Sequence, residues 1–418
     1  MAAYIDSTAP FSLDVYHVSE ELGFILPEPL HELPPYYQPW MDIAQRVPEL
    51  VLAHELRAHI NKMPLLSIKF LQRHRELRLA HLALGVMTMG YVWQEGETNT
   101  VEMLPHTLAV PYWELSQRLG LPPILTHADA VLANWRKKDP EGPLDIENLE
   151  LVVSIPGGES VRGFFIVTLM VERAAIPALR SIPKVINGVR CGDTKAVAKA
   201  LEDISQSIDG MAESLRLMQA HVDPSVFYGI MRIFLSGWKD NPCMPNGLVY
   251  EGVQTEPMEY SGGSAAQSSL LHCFDELLGV KHEAKSGAFL TCMRNYMLPG
   301  HKQLIGDISL QPSLRTFVQQ QESEQLTVAF QECVTKLLAL RSYHITVVTH
   351  FITIPAAKAR QLRKQSRDEE AGMISKAPAT LEERGTGGTG IMSFLKTVRN
   401  QTRDTLLPKT SKEMKHKS

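Results

Sequence analysis

The chain has 418 residues, enough for two or three domains at roughly 150 residues each and for a core that needs no covalent staples. Lys and Arg number 42 against 46 Asp and Glu, a formal net charge of −4, which excludes nucleic-acid binding by bulk phosphate neutralisation. Hydrophobic residues at 44% and charged residues at 21% exclude wholesale disorder. The five cysteines, at 191, 243, 273, 292 and 333, form no CxxC pair and no disulfide framework, which points to a reducing compartment. The first residues carry acids and a proline where a secretory signal would carry an apolar core. No run reaches the roughly 18 apolar residues that span a bilayer. The expectation is a cytoplasmic, monomeric protein with no membrane span and no nucleic-acid partner.

In chain order, prolines such as Pro27, Pro34, Pro39, Pro48 and Pro64 divide the first 150 residues into short helices and turns. Leu71 to Tyr91 lacks proline and turns mostly apolar after Arg78, which predicts a buried helix. Turn chemistry from Asn134 to Pro143 places a domain boundary near residue 155. Strand signal is confined to short pieces such as Leu149 to Ile155. Val197, Leu201, Ile204, Ile208, Met211, Leu215 and Met218 recur in steps of four and three, the stripe of a bundle helix. Residues 240–268 read as a long Gly-, Pro- and Ser-rich loop of the kind that often carries function. A second periodic helix runs from about Glu324 to Ile352, followed by a polar segment and a glycine run from Gly385 to Gly390. Ile391, Phe394, Leu395 and Val398 then share one face of an amphipathic helix. The fold class is mainly α. The expected domains are 1–155 and 156–418, the second with a mobile loop at 358–390 and a C-terminal helix.

Most of the fifteen histidines read as single exposed residues. His344 differs because it lies mid-helix on an apolar line. Arg341 is one turn before it on the same face. A haem would satisfy both, with iron for the imidazole and a propionate for the guanidinium. The bland alternative is a core histidine beside an arginine paired with an internal carboxylate such as Asp275. Arg232 interrupts an otherwise apolar stretch from Val226 to Leu235, and a buried arginine needs an anion, either a structural partner or a ligand carboxylate. Phe164 and Thr168 share a face if their stretch is helical. The glycine run lacks the lysine of a P-loop and fits a flexible lid better. Tyr112 and Tyr250 each sit in a loose match to a tyrosine-based inhibitory motif.

Five segments taken together carry a resemblance: LRSYH at 340–344, GFFIVT at 163–168, MRIFLSGWKDNP at 231–242, SGGSAAQS at 261–268 and GTGGT at 385–389. They resemble the indoleamine 2,3-dioxygenase family from about Tyr16 to Leu407, with His127 and Thr168 leaning toward its type 2 branch. The resemblance implies a small, mixed but mostly helical N-terminal domain over a larger all-helical domain that holds one haem b. It implies that O₂ and an external reductant are used to open the indole ring of L-tryptophan, giving N-formylkynurenine. By the same resemblance His344 is the iron ligand, Arg341 contacts a propionate, and Asp275 orients Arg341. Phe164, Phe227 and Arg232 shape the substrate site, with Arg232 on the carboxylate and Thr168 supplying a hydroxyl. Phe165, Val131 and Leu235 extend the pocket, while Gly263, Ser264 and Ala265 line its distal side. Thr386 belongs to the loop that closes over the substrate ammonium.

His127 and Ala130 stand where the type 1 enzyme has a tyrosine and a cysteine, a change expected to loosen the pocket and weaken L-tryptophan binding. The rival reading is a largely non-catalytic signalling protein that recruits phosphotyrosine-binding partners through Tyr112 and Tyr250.

Overall fold

A computed structural model of the chain describes residues 10–365, 379, 385, 386 and 390–408. The helix His74–Trp93 is the axis of the N-terminal part. Every residue from Leu77 to Trp93 is buried, as expected of a helix that is apolar all round. Its start is fixed by Glu76, whose carboxylate accepts from the backbone N–H of Gln72 at 2.8 Å and of Arg73 at 3.0 Å. Two of its buried polar residues tie it to the short helix His127–Ala130: Arg78 donates to the Ala128 carbonyl at 2.6 Å and His81 Nδ1 meets Asp129 Oδ1 at 2.8 Å. At its far end Trp93 Nε1 donates to the Ser236 carbonyl at 2.9 Å, which fixes the turn carrying Arg232.

The C-terminal part is a helical bundle. The helix Thr194–Arg216 packs along Glu159–Ala174, Ile176–Cys191 and Glu324–Val348. Val197, Leu201, Ile204, Ile208 and Met211 are at most 1% exposed, so the heptad-spaced stripe faces its own chain. Each such side chain contributes roughly 1.5–3 kcal/mol by leaving water. Helix Glu324–Val348 runs through a π-helical turn, Thr349–Thr353, into Ile354–Gln365. The loop expected from residue 358 is therefore helical as far as 365. Most of its remainder lies outside the described residues.

Among the described residues, one continuous helical stretch, Glu324–Arg363, is long and apolar enough to cross a membrane by length and composition alone. It packs against the Thr194–Arg216 and Ile391–Arg403 helices and carries Arg341 and His344.

Sheet is minimal. Met103–Leu104 pairs in parallel with Val249–Tyr250, inside the segment read as a loop, and Arg136–Lys137 pairs antiparallel with Leu149–Glu150. The strand expected to reach Ile155 stops at Glu150 because a side chain replaces the ladder. Asn134 Oδ1 accepts from Val152 and Val153 N–H at 3.0 and 3.1 Å, and its Nδ2 donates to the Val153 carbonyl at 2.9 Å.

Among the described residues four histidines are buried, against the expectation of exposure: His81, His127, His272 and His301. Each has found company outside its own helix. His81 has Asp129 and Ser116, His127 has Glu172, His272 has the Ala266 carbonyl, and His301 lies 4.6 Å from the Phe24 ring.

Candidate active site

A cavity of about 320 Å³ lies between the bundle and the loops that cover it. Its size falls within the range of small-molecule sites. Every site residue named from the sequence lines it: His127, Val131, Phe164, Phe165, Thr168, Phe227, Arg232, Leu235, Gly263, Ser264, Ala265, Asp275, Arg341, His344 and Thr386. So do Ile391, Phe394, Leu395 and Val398, the apolar face of the C-terminal helix.

His344 and Arg341 reach the cavity from the long helix. Among the described residues none hydrogen-bonds to the His344 imidazole. Burial, assisted by Arg341, lowers its pKa to about 4. The ring is therefore neutral at physiological pH and has a nitrogen lone pair to give, the form that ligates a metal. Arg341 Nη2 donates to Asp275 Oδ2 at 2.7 Å and Nη1 donates to the Thr402 hydroxyl. Burial alone would raise the Asp275 carboxyl, but Arg341 and His282 outweigh it and hold it at about 2. A neutral imidazole without a protein partner, one turn from a braced guanidinium in an apolar cavity, fits the donor set a haem requires.

Arg232 is 1% exposed and sits on the single turn Met231–Leu235, with the Tyr228 ring 5.6 Å away. Burial lowers its pKa to about 10, which still leaves it cationic at neutral pH. Phe227 comes from the helix Pro224–Gly229, whose start is capped by Asp223 accepting from Ser225 and Val226 N–H at 2.7 and 3.2 Å. Its ring lies 5.1 Å from Phe164 and 5.8 Å from Phe351, an aromatic cluster on the cavity wall. Thr168 donates its hydroxyl to the Phe164 carbonyl at 2.7 Å, so only its lone pairs remain for a ligand.

His127 is held by its neighbours. Its Nε2 meets Glu172 Oε1 at 2.9 Å, the Ser268 hydroxyl donates to the same oxygen at 2.5 Å, and Thr126 and Asp129 cap its short helix reciprocally. The loop bearing Gly263, Ser264 and Ala265 lies against the Arg232 turn through two glycines. A Cβ on Gly262 would stand 2.1 Å from the Leu235 carbonyl, and one on Gly237 would stand 2.2 Å from that of Tyr260. Thr386 joins that loop, donating its hydroxyl to the Gly263 carbonyl at 2.5 Å and accepting from Gly262 N–H at 3.1 Å. Residues 387–389 of the glycine run lie outside the described residues.

A family model described as indoleamine 2,3-dioxygenase matches residues 12–405. The chain belongs to the indoleamine 2,3-dioxygenase family. It is 51% identical to indoleamine 2,3-dioxygenase 2 of Homo sapiens over 96% of this chain and 97% of that protein. It is 46% identical to indoleamine 2,3-dioxygenase 1 of Rattus norvegicus over 94% and 96%. A protein named myoglobin from Haliotis madaka is 38% identical over 94% and 98%.

Within this indoleamine 2,3-dioxygenase family member, sequence reasoning missed Glu172, Ser268 and His282. Glu172 continues the Phe164–Thr168 face by one more step of four, a signal that could have found it. Ser268 and His282 gave no local signal.

The tyrosines of the signalling reading are both 0% exposed. Tyr250 donates to the Pro123 carbonyl at 2.7 Å, and the Tyr112 hydroxyl is buried with no partner among the described residues. Burial pushes both phenols well above their ordinary pKa. A kinase could reach either one only after local unfolding.

Proposed function

We propose that this haem-dependent dioxygenase inserts O₂ across the indole C2–C3 bond of L-tryptophan to give N-formylkynurenine, binding its substrate weakly. The observation that carries the reading is the convergence on one apolar cavity of two buried arginines and a neutral imidazole with no hydrogen-bond partner among the described residues. His344 would hold the iron and Arg341 a propionate, with Asp275 and Thr402 fixing the guanidinium. When bound, haem supplies the oxygen chemistry.

The chain's own residues do the rest. Arg232 takes the amino-acid carboxylate through its planar fork. Phe164 and Phe227 hold the indole plane, with Phe165, Val131 and Leu235 filling around it. Ser264, Ala265 and Thr386 cover the site and exclude water. Positioning and desolvation of this kind can supply several kcal/mol of a barrier without a protein base. Weak binding rests on His127, whose ring is committed to Glu172 and offers the indole less surface than a phenol. No observation favours the signalling reading.

Titration of haem into the purified apoprotein, followed by the Soret band, tests the cofactor assignment. One haem per chain is expected, lost in His344→Ala. Undiminished haem uptake by that variant overturns the ligand assignment. A dissociation constant for L-tryptophan as tight as that of a type 1 enzyme measured alongside overturns the weak-binding part.

A further inference from the structure

His282 lies in the connection between the helices Ser269–Leu278 and Ala284–Met293. Its Nε2 is 2.9 Å from Asp275 Oδ2 and its Nδ1 is 2.8 Å from Gln401 Oε1. A carboxylate oxygen only accepts, and so does an amide oxygen. Gln401 is held by Ser286, whose hydroxyl oxygen lies 3.3 Å from Gln401 Nε2, 3.4 Å from Gln401 Oε1 and 3.2 Å from the Glu283 carbonyl oxygen. Both ring nitrogens of His282 thus face acceptor oxygens, and an imidazole that donates to both is an imidazolium.

This places two cations on one carboxylate. Arg341 and His282 share Asp275 Oδ2, with side chains no more than 13% exposed. The three charges sum to plus one, and Arg341 faces the cavity. His272, the other imidazole near Asp275, is lowered to about 4 chiefly by burial and adds no charge at neutral pH. An anion beside Arg341 would bring the cluster to zero. With His282 neutral, the same anion would leave a buried net negative charge, which is costly.

We infer that His282 is a positioning residue for the haem: its imidazolium makes the Asp275–Arg341 cluster net cationic, retains the propionate, and clamps the C-terminal helix through Gln401. That helix carries Ile391, Phe394, Leu395 and Val398 onto the cavity, so losing the clamp loosens its wall. The inference rests on the haem reading above.

The pH dependence has a definite sign. Burial alone would lower the imidazole, but Asp275 and Gln401 raise it above its ordinary value. Its contribution is full below that ordinary value, about 6.5. It is lost as pH rises through the folded-state value. Protonation of an iron-ligating histidine acts in the opposite sense, speeding haem loss as pH falls.

The test is transfer of haem from the loaded full-length protein to excess apomyoglobin, followed by Soret absorbance from about pH 6 to about pH 9. The wild type should lose haem faster as pH rises, by about tenfold, the change given by one pKa unit of coupling between imidazole and propionate. His282→Gln should lose haem fast throughout with no pH step. His282→Arg, cationic at every pH, should be slow throughout. A flat wild-type profile, or a His282→Gln profile that follows the wild type, overturns the inference even if the variants fold poorly. A protein that takes up no haem overturns the cofactor reading as well. A loaded protein with a flat profile overturns this inference alone.

Discussion

Arg341 reaches the cavity from one helix and Asp275 from another, 66 residues away in sequence, and their 2.7 Å bond joins two buried side chains of opposite charge. The pair supplies little net stability by itself, because desolvation of both charges offsets their attraction. Its effect is to hold the guanidinium in one orientation beside His344.

Removing one partner should therefore cost far more than the pair contributes. Asp275→Ala leaves Arg341 and His282 as buried cations without a counter-charge, and the expected loss is roughly 3 kcal/mol of unfolding free energy. Urea denaturation of the apoprotein checks it; a loss under about 1 kcal/mol would mean that water reaches the site freely.

Acid should destabilise the fold through the same carboxylate. Its pKa is held below the unfolded value, so its contribution is present above about pH 4 and is lost as pH falls through about 2. A wild-type melting temperature that falls across this window, with a smaller fall in Asp275→Asn, is the expected pattern. Equal falls in both proteins would assign acid sensitivity to other groups.

Tyr112 and Tyr250 should respond differently to loss of the hydroxyl. Tyr250→Phe strands the Pro123 carbonyl and should cost about 1–2 kcal/mol. Tyr112→Phe removes a buried hydroxyl with no partner among the described residues and should be neutral or slightly stabilising. Thermal denaturation distinguishes them. Phosphorylation of either tyrosine in the folded protein by a kinase in vitro, detected by mass spectrometry, would contradict their burial.

Glu172→Gln should replace the carboxylate that holds the His127 ring by a neutral amide. Haem loading should not change, while KM for L-tryptophan should shift several-fold and kcat should change less. An unchanged KM would mean that the His127 ring does not border bound substrate.

Much of this organisation was legible in the sequence because helices write their burial into local spacing. The stripe from Val197 to Met211 and the face from Ile391 to Val398 are periodic, the apolar run of the His74–Trp93 helix is continuous, and all three face the interior. Arg232 and Arg341 stood out because each broke an apolar pattern. The pairs that joined residues far apart were not legible. His127 and Glu172 are 45 residues apart and His282 and Gln401 are 119 apart, and no spacing rule links them. The early end of the strand after Leu149 has the same origin, since Asn134 supplies its hydrogen bonds from a neighbouring turn. The start of the loop was misplaced because a polar composition at 358–365 did not reveal a helix continuing from a π-turn.

The central claim is that the cavity opens the indole ring and that Arg232 holds the substrate for it. The most direct measurement is N-formylkynurenine formed from L-tryptophan, with reductant and O₂, counted per haem in wild type and Arg232→Ala. The account predicts product from the wild type and a fall in kcat/KM of at least about a hundredfold in the variant, as expected when a charge-assisted fork is removed. Loaded wild-type protein that binds O₂ but forms no product at high L-tryptophan, or a variant that matches the wild type, would contradict it.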